Sequence, residues 1–186
     1  PPVPGLMELR QAICKKVERD NNLSYDPSQI VVSNGAKQTI YNICQVMLNP
    51  GDEVIIFAPY WVSYEAIVKL AGGVPVILTA GVDTDFKVAA SDLAEAITDK
   101  TKFVLFSSPS NPTGSLYTQS ELKAIADVLE KEGHVFVVSD EIYEHIVFSG
   151  KHYSIAENNN IKDRTIVVNG MSKGFAMTGW RLGYMA

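Results

Sequence analysis

The chain has 186 residues, 46% of them hydrophobic and 20% charged, with a formal net charge of −5. That is the composition of an ordinary globular protein, long enough to bury one sizeable core. An acidic chain without a basic stripe is a poor match for nucleic acid, and no apolar run reaches the length needed to cross a membrane.

Helical and strand signals alternate along the chain. Leu6, Leu9, Ile13 and Val17 recur at helical spacing, and Asn21-Asn22 closes that helix. Ile30-Val31-Val32 reads as a short β-branched strand. Residues 35–48 read as a helix closed by Asn49-Pro50-Gly51, and 53–57 as a strand. A helix over 62–70 ends at Gly72-Gly73, and a strand follows over 74–78. Ser91 is the expected cap of a helix running to Ile97. The apolar run 103–106 is a strand, and 120–131 is a helix with Leu122, Ile125 and Leu129 on one face. Runs at 135–138 and 165–168 complete the strands. Several strands are apolar on both faces, as parallel strands covered by helices must be. The fold class expected is therefore α/β: a doubly wound, mostly parallel sheet flanked by helices, without repeat or linker.

In such a sheet ligands bind beyond the carboxyl ends of the strands, and the residues able to do chemistry fall there. Ser33-Asn34-Gly35-Ala36-Lys37 opens a helix after a strand, where backbone N–H groups and the helix dipole favour an anion; equally, the glycine could serve the turn alone. Neither GxGxxG nor GxxxxGK[ST] is present, which argues against a nicotinamide-binding Rossmann enzyme and a P-loop. Trp61 could stack on a flat ring or simply pack. Asn111, in a Pro-rich turn whose Asn111-Pro112 bond is a candidate for cis, could donate into a site or merely cap backbone. Asp140 is the first carboxylate after an apolar strand, so it is expected partly desolvated and in need of a cation, unless it caps a helix; Tyr143 follows three residues on.

The run 169–181 is the most informative. Lys173 and Arg181 stand among glycines and apolar residues, and no acid lies within the run to pair with either. If buried, such cations need another neutralising group: an imine to an aldehyde would remove the lysine's charge, and a phosphate would pair with the arginine. The bland alternative is a surface turn with two solvated cations. Anion cradle, ring stacker, amide donor, buried acid and Lys/Arg pair together match the needs of pyridoxal 5′-phosphate. No metal site is expected: Cys14 and Cys44 lack any zinc spacing and read as buried free thiols of a reducing cytoplasm, and His134, His145 and His152 read as surface or element-end residues.

SNGAKQ, APYWVSY, SPSNPTG, SDEIYEHIVF and NGMSKGFAMTGWRLGY, in this order, resemble the cofactor-binding domain of fold-type I, class I aminotransferases, most closely the aspartate and aspartate/prephenate branch. The resemblance implies an enzyme moving an amino group between an L-amino acid, aspartate by first expectation, and a 2-oxo acid such as 2-oxoglutarate. It implies that Lys173 would hold the cofactor aldehyde and later act as general base. Arg181 would bind the phosphate, with Gly35, Ala36 and Lys37 contributing. Trp61 would stack on the ring and border the substrate. Asn111 and Tyr143 would bond the ring's phenolic oxygen, Asn111 would also approach the substrate carboxylate, and Asp140 would pair with the ring nitrogen. The resemblance further implies a cytoplasmic homodimer. Many relatives place a phosphate-binding serine where this chain has Gly170. Residues 1–186 would form the large domain of a longer protein, with an N-terminal arm, a C-terminal domain and the arginine that grips the substrate α-carboxylate lying outside, so the piece alone should turn over little substrate. Other readings of the same domain are a carbon–sulfur β-lyase or another type I enzyme, and a cofactor sensor fused to a DNA-binding module.

Overall fold

The structure is a computed structural model, and it describes residues 2–186. Seven strands form one sheet: β1 Val31–Ser33, β2 Glu53–Ala58, β3 Val74–Thr79, β4 Thr101–Ser107, β5 Phe136–Asp140, β6 Thr165–Gly170 and β7 Gly183–Met185. Five helices accompany them: α1 Met7–Asn21, α2 Ala36–Met47, α3 Ser63–Leu70, α4 Ala90–Ala96 and α5 Gln119–Lys131. The strand order is β1-β7-β6-β5-β4-β2-β3. Strands β2 to β6 pair in parallel, whereas β7 is antiparallel to both β6 and β1. Six strands thus point one way and one is reversed.

Alternation within the central strands feeds both faces. Ile55, Phe57, Val104, Phe106 and Val137 pack under Leu93 of α4 and Leu122, Ile125 and Leu129 of α5. Val54, Ile56, Phe103, Leu105 and Val138 pack under Ile40 and Ile43 of α2 and Ile67 and Val68 of α3. This is the two-sided burial expected of parallel strands. Near β6 and β7, α1 buries Ile13 and Val17 against Ile30, Val167 and Tyr184.

Several local expectations need correction. Ser91 caps nothing: Ala89 is the N-cap of α4, without a side-chain bond. The working cap is at α5, where Thr118 and Glu121 form a reciprocal capping box. Cys44 is buried but Cys14 is only half-buried. His152 is not a surface residue; its side chain is buried with Nε2 3.2 Å from Glu141. β7 is reversed and three residues long, too short for a periodic signal to reveal. Among the described residues no helix is long and apolar enough to cross a membrane, and no group of His, Cys, Asp and Glu could hold a metal ion.

Candidate active site

The reversal of β7 shapes the site. Residues that follow a parallel strand and residues that precede an antiparallel one lie at the same edge of a sheet. Arg181, just before β7, therefore joins the residues that follow β1, β2, β4, β5 and β6. A cavity of about 290 Å³ at this edge is lined by Ala36, Lys37, Trp61, Asn111, Asp140, Tyr143, Lys173 and Arg181. Every expected site residue except Gly35 lines it, and Gly35 stands directly behind Arg181. A larger open recess of about 1260 Å³ adjoins it past Asn111 and Tyr143, but neither Lys173 nor Asp140 lines that recess.

Asp140, the last residue of β5, is 5% exposed. Its Oδ2 accepts from the Tyr64 hydroxyl at 2.6 Å and its Oδ1 from the Ile142 N–H at 3.2 Å. Burial pushes its carboxyl up to about 6, against these two hydrogen bonds and with help from the charge of Glu141. Among the described residues no cation lies within ion-pair distance of it. Asp140 is thus an acid prepared for a positive partner that the described residues do not supply. Tyr64 went unrecognised in the sequence. It sits in the first turn of α3, fully buried, its phenol raised well above 10 mainly by burial. Its ring meets that of Trp61 edge-on at 5.6 Å. The spacing Trp61–Tyr64 on a helix start, opposite a strand-end acid, was the available signal.

Asn111 and Tyr143 are joined, the Asn111 amide donating to the Tyr143 hydroxyl at 3.3 Å. The Asn111-Pro112 bond is cis, as are those before Pro59 and Pro109. Lys173 Nζ lies 5.8 Å from the centroid of the Tyr143 ring. Lys37 Nζ lies 4.8 Å from the Trp61 ring.

Lys173 and Arg181 are exposed, which corrects the expectation of buried cations. They form the cavity's outer wall, and nothing among the described residues covers that side. The other half of the expectation stands: neither makes an ion pair. Arg181 donates Nη1 to the Thr178 carbonyl at 2.9 Å and Nη2 to that of Asn34 at 3.4 Å. Gly35, the N-cap of α2, has φ +86° and no side-chain cap bond. A Cβ there would collide with Arg181 Nη2. The glycine is therefore required twice, by its left-handed backbone and by the guanidinium at the helix start. Gly170 has a different reason. A Cβ at that position would fall 2.6 Å from the Leu182 carbonyl oxygen, so any serine is excluded by the close pairing of β6 and β7. Ser107, Ser172 and Thr178 bring hydroxyls to the cavity wall.

A family model described as aminotransferase class I and II matches residues 1–186. The chain belongs to this family. It is 50% identical over 186 residues to an aspartate/prephenate aminotransferase of Cereibacter sphaeroides, covering 99% of this chain and 46% of that protein. It is 53% identical to an aspartate aminotransferase of a Bacillus species, covering 100% and 47%. Among solved structures, the aspartate aminotransferase from Rhizobium meliloti matches with TM-score 0.97 and 42% identity, over 99% of this chain and 46% of that one. An aromatic aminotransferase from Pyrococcus horikoshii matches with TM-score 0.95 and 43% identity, over 100% and 50%. The chain spans about half the length of the curated relatives it matches.

Class I and II aminotransferases depend on pyridoxal 5′-phosphate. The chemistry of the cavity wall fits that group. The buried carboxylate of Asp140 lacks a cation, and a protonated ring nitrogen is one. The N-terminus of α2 carries no side-chain cap, faces Arg181 across a glycine, and suits a phosphate.

Proposed function

We propose that this chain is the cofactor-binding large domain of a pyridoxal-phosphate-dependent aminotransferase, acting as a cytoplasmic homodimer on aspartate and 2-oxoglutarate. The observation that carries the reading is the buried, cation-free Asp140 in one cavity with the unpaired Lys173. Lys173 would hold the cofactor's aldehyde, and Arg181 with the first N–H groups of α2 its phosphate. Trp61 would cover the ring's face, and Asn111 and Tyr143 its phenolic oxygen. When bound, the cofactor supplies a sink for the electron pair left at the amino acid's α-carbon.

The chain's own groups do the rest. Lys173 Nζ takes the α-proton and gives it back as general base and acid. Exposure on the outer wall leaves that amine free to swing between its two tasks. Asp140 keeps a proton on the atom it faces, because a carboxylate destabilised by burial gains most when a cation arrives. Tyr64 at Oδ2 and the Ile142 N–H at Oδ1 together fix how the Asp140 carboxylate is turned. The Asn111–Tyr143 bond holds two donors side by side at one point of the wall.

The substrate preference is supported by the names of the relatives, aspartate and aspartate/prephenate aminotransferases, at about 50% identity. The test is an assay of purified holoenzyme against a panel of amino donors with 2-oxoglutarate, paired with Lys173→Ala. Aspartate should be the best donor. The variant should fold normally, since the side chain is exposed, yet lose both the visible absorption of the bound cofactor and turnover. Transamination at the native rate by Lys173→Ala would end this reading.

A further inference from the structure

The loop that carries Lys173 is gripped from outside the cavity by a cluster, centred on a buried carboxylate, that lines no part of it. Glu144, one residue past Tyr143, is its centre. Its carboxylate accepts from Asn21 Nδ2 at 2.9 Å and Asn169 Nδ2 at 2.7 Å, and it pairs with Lys16 Nζ. Lys16 and Asn21 belong to α1 and Asn169 to β6. His145 Nε2 lies 3.4 Å from the same carboxylate, and Asp20 Oδ2 stands 3.9 Å from Lys16 and 4.0 Å from His145. Burial alone would raise the Glu144 carboxyl. The Lys16 charge and the bonds from Lys16 and Asn21 outweigh burial and hold it below its usual range, so it is ionised.

The grip has two ends. Ahead of Lys173, Asn169 bonds Glu144 through Nδ2 while its Oδ1 accepts the Gly170 N–H at 2.7 Å. Beyond Lys173, the His145 ring meets that of Phe175 edge-on at 5.4 Å, and a Cβ at Gly174 would sit 3.0 Å from the Cβ of His145. Adjacent residues of the β5 exit therefore hold the loop four residues before the lysine and one and two residues after it. The same turn carries Tyr143, the ring nearest the Lys173 amine.

We propose that Glu144, assisted by His145, is a positioning residue that ties both flanks of Lys173 to α1 and so fixes where its amine stands relative to Tyr143. The inference rests on the cofactor reading above. A reacting group displaced by about 1 Å can lose a hundredfold in rate, so a tether at this distance can bear on the rate without touching substrate.

The test uses holoenzyme of Glu144→Gln and His145→Ala, with Ile13→Val as a control that thins the core under α1 and leaves the cluster alone. Three quantities are read: the pH midpoint of the absorption band of cofactor bonded to Lys173, the rate of cofactor loss on dilution, and kcat beside KM. Glu144→Gln should move the midpoint by about half a pH unit or more, hasten cofactor loss, and lower kcat roughly tenfold with KM little changed. His145→Ala should do the same more weakly, while Ile13→Val lowers Tm alone. Should Glu144→Gln fail to fold, the partly exposed His145 decides through its own variant. A wild-type band that stays unmoved in the variants overturns this inference and leaves the function standing. A wild-type protein without the band overturns both.

Discussion

Asp140 and Lys173 line one cavity from neighbouring strands, yet Asp140 is 5% exposed and doubly hydrogen-bonded whereas Lys173 stands on the solvent side of a loop. The inner wall is made by folding itself: a carboxylate is carried under cover by an apolar strand and destabilised there. The outer wall, residues 171–182, carries exposed cations that the described fold does not need. On the proposed reading the first region gives up stability for chemistry; the second can be altered with little effect on stability. Substitutions should therefore separate the two, and each such separation is measurable.

The largest effect should come from the inner wall. Asp140→Ala should leave holoenzyme folded and slow turnover by several orders of magnitude. If Asp140 has the proposed role of keeping a proton on the atom it faces, its loss costs several kcal/mol of barrier, and each ~1.4 kcal/mol is a factor of ten. Steady-state kcat with aspartate is the check, and a value near the native one would erase the distinction between the walls.

The stability given up at Asp140 can be measured by removing its charge. In the cofactor-free protein its carboxyl lies at about 6 rather than the ordinary 3.8. The native state therefore holds an extra proton between those values. Stability falls as pH rises through the window and stays lowered above it. A shift of about two units corresponds to roughly 3 kcal/mol. Asp140→Asn keeps the shape without the charge. It should raise the urea-unfolding free energy of the cofactor-free protein at pH 8, by up to that amount, with the gain gone below about pH 4. A variant less stable than wild type at pH 8 would mean that the acid is not destabilised by its surroundings.

On the outer wall the order reverses. Arg181→Ala should change unfolding free energy by no more than about 0.5 kcal/mol, as exposed substitutions do; its φ of +53° is no harder for alanine than for arginine. Affinity for pyridoxal 5′-phosphate should nevertheless drop about ten- to a hundredfold, the worth of a hydrogen bond to a charged group. Affinity for pyridoxal, which lacks the phosphate, should stay put. Equal losses for both ligands would remove the phosphate from Arg181.

Much of this was legible in the sequence, for reasons of period and punctuation. Doubly apolar strands such as 103–106 can only be covered on both faces, so the α/β layering followed. Strand-end placement then gathered Gly35, Trp61, Asn111, Asp140, Tyr143, Lys173 and Arg181 at one edge. What escaped depended on neighbours distant in the chain. β7 is three residues long and is defined by its pairing with β1 and β6. Gly170 read as a lost serine, but its reason is the Leu182 carbonyl across the strand pair. His152 is buried because Glu141 receives it. The exposure of Lys173 is set by what stands opposite a loop, which no local pattern records.

Tyr64 escaped for the same reason, and it yields the mildest and most discriminating prediction. Its hydroxyl, 2.6 Å from Asp140 Oδ2, favours the charged carboxylate, while burial and Glu141 oppose it. Tyr64→Phe keeps the ring that packs on Trp61 and deletes only that donor. The Asp140 carboxyl of the cofactor-free protein should then titrate above 6, followed by carbon NMR of labelled aspartate. Near neutral pH and above, the pair the acid makes with a cation should change by no more than roughly 1 kcal/mol, the net value of one hydrogen bond. kcat should fall by less than about tenfold. Stability should fall unequally across the pH range. The lost bond lowers it at every pH where Asp140 is ionised, and much less below about pH 4, where the neutral acid needs the donor least. A Tyr64→Phe protein whose Asp140 midpoint stays at 6 would show that the tyrosine does not set the acid, and that the inner wall acts without it.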